Sequence, residues 1–207
     1  MESEGIKDVI FRKIFARFPK SQNEAWVYHR ANGSMPRHEK FIWLAKREIP
    51  GHPDQQLACV KECLVEFGRL CREKVAQAPE VKGADQLLKR LAGKIPIYVA
   101  SVNPVEDLEF YLKARCWDQY LTGWYGNPPV RKVDALCQMA KIEGCFPREV
   151  LMVGDSEGDQ VAAREAGTEV TLRKTDGKSE GWIDCLDLME RPPFIDLLKK
   201  IYDSWSM

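Results

Sequence analysis

Residues 150–159 read Val-Leu-Met-Val-Gly-Asp-Ser-Glu-Gly-Asp, and this stretch constrains the fold more than any other. Four apolar residues, Val150 to Val153, have the length of a short buried strand. Gly154 breaks the run, Asp155 sits at its carboxyl end, and Asp159 follows at the start of a segment rich in helix formers, Gln160 to Ala166. Two carboxylates at the end of a buried strand contribute little to packing. They suit a divalent cation, because hard oxygen donors are what magnesium takes, and ligands of open α/β sheets gather at this end of the strands. A plain helix cap by Asp155 or Ser156, with Asp159 in solvent, explains the decapeptide equally well.

The rest of the chain has the pattern of an α/β protein in two parts. Residues 1–78 read as helices. Ile6, Val9, Ile10, Ile14 and Phe18 recur at helical steps, a second helix covers Gln22 to Ala31, and a third runs from Glu39 to Arg47 behind Pro36. Asp54 to Ala76 is a long helix with Leu57, Val60, Leu64, Phe67 and Leu70 on one face. Pro79 opens a different pattern over 79–207. Helices are expected at Ala84–Leu91, Pro104–Ala114, Val130–Ile142, Gly158–Ala166 and Phe194–Trp205. Strands are expected at Ile95–Ala100, Val150–Val153 and Glu169–Leu172, and residues 173–181 form a polar loop. Strands alternating with helices imply a mostly parallel sheet covered on both faces.

Composition narrows the partners. Lysine plus arginine and aspartate plus glutamate number 31 each among 207 residues, so nothing points to a polyanion and nucleic acid is not an expected partner. No apolar run approaches membrane-spanning length, and no secretory leader is visible. The seven cysteines are an odd number without a Cys-x-x-Cys pair, which reads as reduced thiols in a cytoplasmic protein. His29, His38 and His52 have no zinc spacing. The six tryptophans read as packing residues.

Two further positions carry chemistry. Ser101 ends the strand before Pro104, where a hydroxyl and the backbone N–H groups of Val102 and Asn103 can meet an anion. The same residues can equally form an ordinary serine cap. Lys132 opens a helix, where a cation is electrostatically unfavourable, so it invites a reason beyond the helix, although a surface lysine is common.

Serine, lysine and an acidic pair in this order resemble the haloacid dehalogenase (HAD) superfamily of phosphatases. Ser101 is similar to its second motif, Lys132 to its third, and Asp155 with Asp159 to its fourth. Residues 120–130 resemble the segment before the third motif in phosphoglycolate phosphatase-like members, and residues 29–41 resemble part of a small helical cap. The resemblance implies a Rossmannoid parallel-sheet core with an α-helical cap. It also implies magnesium held by Asp155 and Asp159, catalytic roles for Ser101 and Lys132, and a small phosphorylated metabolite, such as a sugar or glycolate phosphate, as substrate. Val102 and Asn103 would bind it from the core, with Arg37 and Lys40 as cap contacts; a solvated cap face accounts for Arg37 and Lys40 as well. The oligomeric state is not implied.

The family's nucleophile lies in an Asp-x-Asp motif at the end of a central first strand, and no Asp-x-Asp occurs in this sequence. Ile6 to Phe11 is followed by Arg12 and Lys13, and its period is helical. The reading is that the central first strand, roughly 15–20 residues with its loop, is missing and that the chain starts just past it. Without it the aspartyl-phosphate route has no attacking carboxylate, and the sheet loses pairing at its middle, which predicts poor stability. The alternatives are a non-catalytic relative that binds a phosphorylated ligand or a protein, and another doubly wound domain of receiver or nucleotide-binding type. The latter has no Gly-rich phosphate loop in its favour.

Overall fold

A computed structural model of the chain describes residues 3–33, 35–81 and 83–172. The expected loop at 173–181 and helix at Phe194–Trp205 lie outside the described residues. Backbone contacts divide the chain into Met1–Pro79 and Glu80–Met207.

The first unit is four helices: α1 (Glu4–Phe15), α2 (Gln22–Ala31), α3 (Arg37–Glu48) and α4 (Pro53–Val75). Pro19 limits α1, since a residue before proline is disfavoured in the helical region, and Pro53 starts α4 at its first turn. The buried stripe of α1 is Ile10, Phe11, Ile14 and Phe15, rotated from the expected one: Val9 is 60% exposed. α4 turns the same way, burying Cys59, Val60, Cys63, Phe67, Leu70 and Cys71 while Leu57 stays 55% exposed. The reason is aromatic packing. Phe11 sits 4.4 Å from Phe67, 5.5 Å from Phe15 and 5.6 Å from Phe41 between ring centroids. Rings of this size bury more apolar area than Ile6, Val9 or Leu57 and set which face turns inward.

The second unit begins with α5 (Ala84–Leu91) and continues β1 (Tyr98–Ser101), α6 (Val105–Ala114), β2 (Gly123–Gly126), α7 (Lys132–Ile142), β3 (Leu151–Gly154), α8 (Glu157–Ala166) and β4 (Glu169–Leu172). β1 pairs with β2 in parallel, Ser101 opposite Gly126. β3 pairs with β4 in parallel, Gly154 opposite Leu172. Helices α7 and α8 pack on each other, α7 against β1 and β2, α8 against β3 and β4. Their shared core is Ala135, Leu136 and Met139 of α7, Ala162, Ala163 and Ala166 of α8, and Met152 of β3, flanked by Tyr98, Ala100, Tyr125 and Val170 from the strands.

Both ladders thus rest on one helical layer, yet among the described residues they are two separate two-stranded sheets. Among the described residues β1 pairs with β2 alone and β3 with β4 alone. Strands of a parallel sheet are ordinarily buried on both faces; here β1 is half-buried throughout and Val153 of β3 is 45% exposed. No helix among the described residues is long and apolar enough to cross a membrane.

Candidate active site

Two strand ends of the second unit hold the candidate residues. At the end of β3, Gly154 leads into Ser156, the N-cap of α8. The Ser156 hydroxyl accepts a hydrogen bond from the Asp159 N–H at 3.3 Å and donates to Asp159 Oδ2 at 2.8 Å. Oδ2 also accepts from the backbone N–H groups of Asp155 (3.1 Å) and Ser156 (3.2 Å). This is a capping box, Ser-x-x-Asp, that satisfies the free donors of the first turn. Asp159 therefore folds back over the strand end. A Cβ at position 154 would overlap its Cβ and carboxyl group, which is why glycine stands there.

The other carboxylate oxygen of Asp159, Oδ1, receives the Lys132 ammonium. The cation at the first position of α7 is thereby offset by a carboxylate from α8. Asp159 is 3% exposed. Burial pushes its pKa up, but the Lys132 charge and the hydrogen bonds from Lys132, Ser156 and the Asp155 N–H outweigh burial and hold it below the usual carboxylate range.

Both oxygens of Asp159 accept hydrogen bonds, and Oδ1 anchors the Lys132 ammonium beside the strand end. Asp155 is exposed, and its backbone N–H, not its carboxylate, supports the box. Among the described residues no three His, Cys, Asp or Glu side chains come together as a metal-binding group. Of the expected carboxylate pair, Asp155 is the exposed one and Asp159 the buried one.

At the end of β1, Ser101 Oγ accepts the Asn103 N–H at 3.1 Å. Of the two N–H groups expected to meet an anion, that of Asn103 is therefore taken up in a local serine turn. The turn is fixed from the next loop: the Asn127 N–H is shared between the carbonyls of Ser101 (3.0 Å) and Asn103 (2.9 Å), and the Val105 N–H reaches the Pro128 carbonyl at 3.4 Å. Gly126 permits this approach, because a Cβ there would overlap the Val105 backbone. Gly126 and Asn127 are the supporting residues that sequence reasoning did not single out, whereas Gly154 was read as the strand's end and Ser156 as a possible helix cap. The loop between β1 and α6 is thus tied to the loop between β2 and α7, which begins with Lys132.

In the helical unit, Arg37 opens α3, half-buried, with its guanidinium 5.3 Å from the Phe67 ring centroid. Lys40 is 3% exposed. Its ammonium lies 3.0 Å from His29 Nδ1 and 3.4 Å from the Gly33 carbonyl. It belongs to the interior of this unit and not to a solvated face, because α3 turns Lys40 inward beside Phe41 and Leu44.

Residues 125–196 match the family described as HAD-hydrolase-like. The chain is similar in structure to a protein from Thermotoga maritima assigned as a beta-phosphoglucomutase, at 17% identity and a TM-score of 0.57 over 98% of this chain and 94% of that one. It is also similar to a HAD-superfamily hydrolase of subfamily IA, variant 1, from Geobacter sulfurreducens, at 22% identity and a TM-score of 0.51 over 66% of this chain and 78% of that one. The fold is that of the HAD superfamily. No curated protein sequence matches the chain. In this HAD-like core, Ser101 ends β1, Lys132 opens α7 and Asp155 directly follows β3. The matched segment contains Gly126, Lys132, Asp155 and Asp159, the residues that build the strand-end cluster.

Proposed function

We propose that the second unit is the phosphoryl-binding part of a HAD-type phosphatase acting on a small phosphorylated metabolite, a sugar or glycolate phosphate, in the cytoplasm. Ser101 offers a hydroxyl to a phosphoryl oxygen, and Lys132 offsets its negative charge. Asp159 holds the Lys132 ammonium in place, and Asp155 and Asp159 are the candidate ligands for magnesium. The 1–78 helices are put forward as the helical cap, with Arg37 as its candidate for substrate contact. The interior position of Lys40 gives it a different part to play.

The chain as written has no Asp-x-Asp, so it lacks the carboxylate that attacks phosphorus and the second one that protonates the leaving oxygen. One observation supports an incomplete site over an unrelated one. Among the described residues β1 pairs with β2 alone and β3 with β4 alone, while both ladders rest on the same α7–α8 layer. A strand seated between them would pair with both and bring its own carboxyl end beside Ser101 and Asp155. Fusing a strand with a terminal Asp-x-Asp ahead of α1 is the test. The fused protein should hydrolyse small phosphate esters with magnesium, and Asp155→Ala should abolish this. Turnover that survives Asp155→Ala removes the assignment of Asp155.

The literal sequence favours a second reading, a HAD-like protein that binds a phosphorylated ligand or a protein partner without turnover. It predicts saturable binding of phosphate esters by the unextended chain, lost in Lys132→Met.

A further inference from the structure

The helical unit contains a polar chain that the phosphatase reading does not use. Asp8 of α1, His29 of α2 and Lys40 of α3 are linked through the imidazole. His29 Nε2 lies 2.8 Å from Asp8 Oδ1, and His29 Nδ1 lies 3.0 Å from Lys40 Nζ. Arg30 Nη1 reaches the other Asp8 oxygen at 2.5 Å. The cluster is walled by rings: Phe11 is 4.1 Å from the imidazole, Trp26 5.3 Å and Phe15 6.3 Å, centroid to centroid.

The donors and acceptors allow one arrangement. A carboxylate only accepts and an ammonium only donates. His29 must therefore donate from Nε2 to Asp8 and accept at Nδ1 from Lys40, which is the neutral Nε2–H tautomer. A proton added at Nδ1 would face the Lys40 ammonium donor to donor, cation to cation, in a site of low dielectric.

We propose that Asp8, His29 and Lys40 form a proton-sensitive clasp, in which protonation of His29 at Nδ1 breaks the contact with Lys40 and loosens α3 from α2. The charged groups acting on His29 are Asp8 from α1, Lys40 from α3 and Arg30 from its own helix. α4 brings an uncharged ring, Phe67, to Phe11, and Arg12 of α1 lies over the outer partner ring, Trp26, at 3.9 Å. Burial first, then the nearby Lys40 charge, pull the His29 pKa below its ordinary 6.5 against the raising effect of the Asp8 hydrogen bond. The sign follows. The unfolded chain takes the proton near pH 6.5 and the folded one does not, so the clasp's contribution is complete above that pH and is lost as pH falls toward the folded value.

The test is histidine NMR on the unmodified full chain, with His38→Gln and His52→Gln to assign the signals, alongside hydrogen exchange of residues 22–48. His29 should hold the Nε2–H tautomer and remain neutral at pH 6.5. As it titrates, protection of 22–48 should fall, by up to about tenfold per pH unit for one linked proton. His29→Gln should flatten that dependence, and Lys40→Met should move the His29 titration to higher pH by removing the opposing cation. Titration of His29 at or above 6.5 in the unmodified chain, or protection of 22–48 that is unchanged across it, overturns the clasp.

Discussion

Gly154 and Asp159 lie so close that a methyl group on the first would occupy the space of the second's carboxyl. Gly154→Ala should therefore displace Asp159, break the Ser156 box and loosen Lys132 together. Forcing an extra carbon into a packed site costs about 1–3 kcal/mol. Urea denaturation followed by tryptophan fluorescence should show that loss, whereas Gly5→Ala, where nothing lies within 4 Å, should be neutral or slightly stabilising, as alanine is in a helix.

Lys132 and Asp159 form a pair whose side chains are only 18% and 5% exposed. Removing one partner leaves the other buried and uncompensated, at a cost of about 3 kcal/mol. Lys132→Met should show this cost, and Lys132→Met with Asp159→Leu should recover part of it. Carboxyl NMR offers an independent check. In Lys132→Met the Asp159 pKa should rise, because burial remains while the cation that offsets it is gone. A pKa that stays put in this variant would show that the pair does not set it.

The depressed Asp159 pKa also fixes a direction for acid stability. The unfolded carboxyl binds its proton near 3.8, the folded one only below that. The stabilisation is whole above 3.8 and disappears as pH falls through the folded value. Denaturation midpoints between pH 5 and 2 should decline more steeply for the unmodified chain than for Asp159→Asn, which has no carboxyl to protonate.

Much of the outline was legible in the residues, and the reasons are local. α2, α5 and β4 begin and end where periodicity and flanking turns place them, because those signals act over a few residues. β2 was not anticipated: Gly123-Trp-Tyr-Gly126 is four residues long with glycine at each end, and only its pairing with β1 makes it a strand. The inward faces of α1 and α4 were legible in part: Ile10, Ile14, Val60, Phe67 and Leu70 are buried, while Val9 and Leu57 are not, because the Phe11, Phe41 and Phe67 rings that meet from three helices set the final rotation. Ser101, Lys132 and Asp155 were found as residues, but the bond between Lys132 and Asp159 spans 27 positions and no local pattern encodes it. The burial of Lys40 was not legible for the same reason, since its partner His29 belongs to another element.

Thiol chemistry gives a separate check on the packing of the helical unit. Cys59 and Cys63 are buried, and burial pushes the Cys63 thiol up to about 12, while Cys116 and Cys137 are exposed. Alkylation with iodoacetamide at pH 8, mapped by peptide mass, should label Cys116 and Cys137 in the native chain and reach Cys59, Cys63 and Cys71 only after denaturation, since the thiolate is the reactive form. Rapid native labelling of Cys63 would mean that α4 is not packed as described.

In the proposed function, Ser101, Lys132 and Asp155 are the phosphoryl-binding part of a site whose nucleophile this sequence does not contain. Inorganic phosphate release from a panel of small phosphate esters with magnesium tests this most directly, comparing the chain as written with the chain fused to a strand ending in Asp-x-Asp. The account predicts no release by the first, release by the second, and none by the second carrying Asp155→Ala. Release by the unextended chain, or undiminished release by the fused Asp155→Ala protein, would contradict it.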